Sequence, residues 1–172
     1  MTNPLLDAWD TPFRVPPFGK ITAADFAPAL DIAMQDDLAK IDAIAQNPEP
    51  ATFANTIEAL ETTSELIHKV LSPFYAMAGA HTNPALDALM REFSPRLAAH
   101  GAKISGNKAL FQRIESLWNS KDTLGLNEEQ MMLLKDQYLG FVRSGAALTG
   151  DAESRLTEIK SRLSVLCTTF TQ

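Results

Sequence analysis

The chain has 172 residues, 45% of them hydrophobic and 21% charged, with a net charge of -6 and a single cysteine, Cys167. These are globular values, and a chain of this length can bury roughly 70% of the surface its unfolded form exposes, so it needs no disulfide or metal staple. The acidic balance gives no electrostatic footprint for nucleic acid, and no apolar run approaches the ~18 residues of a membrane span. Met1 to Asp7 carries neither the basic nor the apolar region of a secretory leader, so cytoplasm is the expected compartment.

From Asn3 to Ile21 four of the ten prolines stand among Trp9, Phe13 and Phe18. Such a segment is expected to be extended, with its aromatics anchoring it to a helical surface, which sets residues 1–21 apart from a helical domain over residues 22–172. Thr22 and Asp25 have capping-box spacing, and Phe26, Leu30, Met34, Leu38, Ile41 and Ile44 continue a helical period to Asn47-Pro48. The first helix is therefore predicted over about Ala24 to Gln46, with Pro28 in its first turn and Asp31, Asp36, Asp37, Lys40 and Asp42 on a solvated flank.

Thr52 can cap a second, longer helix carrying Phe53, Ile57, Leu60, Ile67, Val70, Leu71, Phe74 and Met77. A kink or break is predicted at Ser72-Pro73. Asn83-Pro84 starts a third helix with Leu86, Leu89, Met90, Phe93, Leu97 and Ile104, bent at Pro95. Asn107 starts a fourth, with Leu110, Phe111, Ile114, Leu117 and Trp118 on one side. Asn127 and Gln130 form a capping box for the fifth, and Gly145 is placed to close it. The sixth, from about Thr149, has Leu156, Ile159, Leu163, Leu166 and Phe170 at coiled-coil-like spacing. That apolar period is still running at Thr171-Gln172, so the reading expects the natural protein to continue. No strand-like alternation occurs, and the fold class is all-α: an irregular bundle of about six helices.

No catalytic, cofactor-binding or metal-binding residue is assigned. His68, His81 and His100 are not spaced four apart, so the His-Glu-x-x-His arrangement that puts two imidazoles on one Zn²⁺ is absent. His68 reads as a helix-surface residue, and His81 and His100 as helix-end residues bonding free carbonyls. Glu128-Glu129 and Asp36-Asp37 are adjacent pairs that diverge by about a hundred degrees on a helix, which suits capping and solvation better than acid/base work. Cys167 reads as a small buried hydrophobe, and Met131-Met132 as core filling.

Several blocks, in order, resemble the N-terminal helical region of the M3 zinc oligopeptidases, with the closer likeness to the peptidyl-dipeptidase branch. They are NPLL, TPF and PPF before the first helix, NTIEALE, HKV and FYAMAGAHTN at Asn55 to Asn83, SPRLAAHGAKISGN at Ser94 to Asn107, GFVRSGAAL at Gly140 to Leu148, and the closing TxFxQ. The resemblance implies a zinc metallopeptidase that trims short peptides, releasing dipeptides from C-termini in the branch it favours. It implies Zn²⁺ for the full-length protein and a catalytic domain beyond residue 172 that supplies every ligand. This chain is then a non-catalytic wall of the substrate channel, inactive alone, with the missing domain and short peptides as its partners. An apolar face should await that domain, and a dimer is the other way to cover it. The alternative is a self-standing helical interaction module without peptidase activity.

Overall fold

The computed structural model describes residues 3–170, with part of the side chains on the last helix. Seven α-helices are found there and no strand: α1 (Ala23–Ala45), α2 (Ala59–Glu61), α3 (Glu65–Ala80), α4 (Pro84–Ser105), α5 (Lys108–Asn119), α6 (Glu128–Ser144) and α7 (Asp151–Phe170). With α2 a single turn, six are substantial, and the fold is an all-α multi-helix bundle. The chain divides into two compact units, Met1–Ile104 and Ser105–Gln172.

The first unit is built on α1, α3 and α4. Phe74 of α3 lies at its centre, with its ring 5.1 Å from Phe26 of α1 and 5.0 Å from Phe93 of α4. All three rings are buried, together with Leu30, Ala33, Val70 and Leu86. Edge and tilted ring contacts add about 0.5–1.5 kcal/mol each to the burial of area. The N-terminal segment joins this core through fully buried Leu5. Asn3 donates to the Asp25 carbonyl at 2.7 Å, Trp9 Nε1 donates to the Pro4 carbonyl at 2.9 Å, and Lys69 Nζ lies 5.0 Å from the Trp9 ring centre.

The aromatics do not all serve as anchors. Phe13 is 100% exposed and Phe18 44%, with Phe13 and Arg14 both at positive φ, 58° and 55°. A left-handed turn between Pro12 and Pro16 turns Phe13 outward, and this conformation is strained for residues other than glycine.

The caps form as spaced. The Thr22 N–H donates to Asp25 Oδ2 at 2.7 Å, Asn83 Oδ1 accepts from Ala85 and Leu86, and Asn107 Oδ1 accepts from Leu110. Two expectations about proline fail. Pro28 is the sixth residue of α1, in its second turn, and α3 runs through Ser72-Pro73 without a break. The long helix is interrupted ten residues earlier, after a π-helical stretch over Phe53–Glu58 and the short α2. There the Thr62 and Thr63 hydroxyls donate to the Ala59 and Leu60 carbonyls, at 3.0 and 3.1 Å. Those bonds, with three-residue backbone bonds beside them, end the turn locally.

In the second unit α5 packs on α6. Trp118 stacks on Tyr138 at 5.0 Å and 9°, and Phe111 faces Tyr138 and Phe141 at 6.1 and 6.2 Å, over buried Leu110, Ile114, Leu117 and Leu134. The α6 capping box pairs Asn127 with Gln130 at 2.9 and 3.1 Å. At the other end Gly145, φ 94°, donates to the Val142 carbonyl while Ala146 donates to that of Phe141, the paired bonds of a Schellman stop. The turn brings Leu156 of α7 so close that a Cβ on Gly145 would stand 2.2 Å from its Cδ2.

Candidate functional site

The most unusual polar feature is inside the first unit. Asp37 of α1, 1% exposed, meets His100 of α4, 6% exposed, at 2.6 Å between Oδ2 and Nε2. This corrects two expectations, since Asp37 is not on a solvated flank and His100 is not at a helix end. The α1 residues Phe26, Leu30, Ala33, Asp37, Ile41 and Ile44 form one buried stripe, and Asp37 occupies a core position in it. Buried charge is tolerated when it is paired and hydrogen-bonded, and α4 supplies the partner 63 residues away. Three of the other expected flank residues meet charge near solvent: Asp36 pairs with Lys40 at 2.7 Å, and Asp31 pairs with Arg96. The hydrogen bond to Asp36 holds Lys40 above the ordinary lysine pKa.

An aspartate on one nitrogen of an imidazole is also how hydrolytic triads orient their base. Here the second nitrogen, Nδ1, is buried without a hydrogen-bond partner, as is Asp37 Oδ1. Among the described residues no hydroxyl bonds to Nδ1, and the contact itself joins α1 to α4. Beside it lies an open groove of about 300 Å³ lined by Asp31, Gln35, Leu38, Arg96 and Lys103 among others. Its arginine is committed to Asp31 and Glu92.

His68, on α3, and His81, just after it, are exposed. Among the described residues no three of His, Cys, Asp and Glu converge on a point that could hold a metal ion. The residues described here therefore do not fit a zinc site. Nor is any described helix long and apolar enough to cross a membrane.

Met131 is half-buried but Met132 is 54% exposed, so the pair is not core filling. Both line a shallow groove of about 500 Å³ with Leu126, Asn127, Glu128 and Lys135 at the start of α6. The Cys167 side chain lies outside those described. On α7, Ile159, Leu163 and Leu166 are 49, 58 and 56% exposed, an unpartnered stripe at the spacing read from the sequence.

No family model matches the chain. It is 36% identical over 171 residues to a dipeptidyl carboxypeptidase of Salmonella typhimurium, and 37% identical over 170 residues to one of Escherichia coli. Each match takes in 99% of this chain and 25% of the relative. The oligopeptidase A of Escherichia coli is 26% identical over 166 residues, which are 96% of this chain and 24% of that protein. The chain thus spans about a quarter of the length of the relatives it matches, at their N-terminal end.

Proposed function

Because the chain is homologous to the N-terminal region of M3-family peptidases, we propose that it is the non-catalytic N-terminal helical part of a zinc metallopeptidase acting in the cytoplasm on short peptides. The observation that carries this is the 36–37% identity sustained over 99% of the chain to two dipeptidyl carboxypeptidases. A match of that extent takes in the whole helical region and not a single motif. Removal of dipeptides from a free C-terminus is accordingly the activity we assign to the full-length protein.

The described residues bring together no set that fits the metal, so the zinc ligands and the catalytic acid/base group are assigned to the remaining three quarters of the protein. The contribution of the helices described here is steric. A wall of packed helices beside the active site admits an unstructured peptide and excludes a folded one. The Asp37–His100 pair and the three-ring core keep that wall rigid.

The test uses the natural full-length gene product and a short peptide with a free C-terminus. Dipeptide release that a chelator abolishes and Zn²⁺ restores is expected, with none from residues 1–172 alone. Zinc-dependent cleavage by residues 1–172 would overturn the assignment of chemistry elsewhere. Failure of the full-length product to cleave any short peptide would overturn the peptidase reading.

A further inference from the structure

We infer that the exposed stripe of α7 is a docking face for one helix supplied by the part of the protein outside these residues. This rests on reading the chain as a quarter of a peptidase. Leu156, Ile159, Leu163 and Leu166 follow one another at steps of three, four and three, the pattern of a coiled-coil seam. Leu156 is half-buried against the Gly145 turn, and the next three side chains leave the bundle about half exposed. Other large apolar residues on the surface, such as Ile32, Tyr75 and Met132, fall on different elements, whereas these three share one helix face. A contiguous apolar strip of this kind marks an interface.

The 3.5-residue period specifies the occupant's shape. A seam of alternating three and four steps is filled by knobs from a second helix lying nearly parallel or antiparallel, and an extended strand or a small ligand would leave its holes empty. Charge specifies which helix. Arg155 and Arg162, one heptad apart on one flank of the seam, are both exposed. Arg155 reaches Glu158 of its own helix at 2.8 Å, a solvent-exposed pair that is easily exchanged. Flanking positions choose coiled-coil partners by opposite charge. A second copy packed antiparallel would set these arginines against each other. A helix with an apolar seam and acidic flanking residues suits them, and the relatives have three quarters of their length outside the matched segment from which to provide it.

Residue-resolved hydroxyl-radical labelling of the natural full-length product tests this. Loss of labelling at Ile159, Leu163 and Leu166 is expected, with labelling returning in the Arg155→Glu/Arg162→Glu variant, which repels an acidic partner without inserting a charge into the seam. Full labelling of the three residues in the unmodified protein would overturn the inference. So would protection that disappears on dilution, which would identify a second copy as the occupant, and so would a natural product no longer than this chain. Peptide hydrolysis measured on the same sample separates the two readings. An active peptidase with a labelled seam defeats this inference alone, whereas a protected seam in an inactive full-length protein defeats the peptidase reading alone.

Discussion

Asp37 and His100 show what a single-residue view of the sequence can miss. Asp37 stands where the period Phe26, Leu30, Ala33, Asp37, Ile41, Ile44 calls for an apolar side chain, so the signal was present in the spacing. Its charge led instead to the solvated flank, and a partner 63 residues away cannot be found from helical periodicity. Removing either partner strands the other polar group in the core. Asp37→Ala and His100→Ala should each destabilise the first unit by about 3–5 kcal/mol, whereas Asp37→Leu/His100→Leu should recover much of the loss. Urea denaturation of the three variants checks this, and equal losses in single and double variants would show that the pair is not coupled. Gly145 is the other residue on which local structure depends. Its φ of 94° and the closeness of Leu156 both oppose a side chain, so Gly145→Ala should cost at least about 1 kcal/mol and loosen the start of α7. Hydrogen exchange at Ala152 to Arg155 reads that loosening directly.

Helix starts were legible because their chemistry is local. Thr22, Asn83, Asn107 and Asn127 each stand immediately before a helix; the three asparagine side chains accept from backbone N–H groups three residues on, and the Asp25 carboxylate accepts from the Thr22 N–H. Replacing Asn127 by Ala removes the bond to Gln130 and should cost about 1 kcal/mol, seen as a lower midpoint in thermal unfolding followed by circular dichroism. Helix interruptions were less legible, because a proline's effect depends on what surrounds it. Pro73 is buried beside Phe74 and the helix continues through it, while Thr62 and Thr63 end a turn with no proline present. Core packing of α3 outweighs one lost hydrogen bond. Phe74→Ala removes the ring shared by α1, α3 and α4 and should cost about 3–5 kcal/mol. A much smaller loss would mean that the three helices are not held through that ring.

For the whole molecule, the all-α class and the helical stripes followed from periodicity, and the likeness to the peptidases from blocks of sequence spread along the chain. The grouping into two units did not, since ring contacts inside each of them, such as Phe26–Phe74 and Phe111–Phe141, join residues far apart in sequence. The proposed division of labour also belongs to this scale: helices that wall a channel here, and metal chemistry in sequence beyond the matched quarter. Its most direct test is the mass of the natural protein in its source cells, read by immunoblot with an antibody against this region. That division predicts a band several times heavier than 18.8 kDa, in keeping with relatives of which the chain covers 25%. A band at 18.8 kDa alone would contradict it and leave a free-standing helical module in its place.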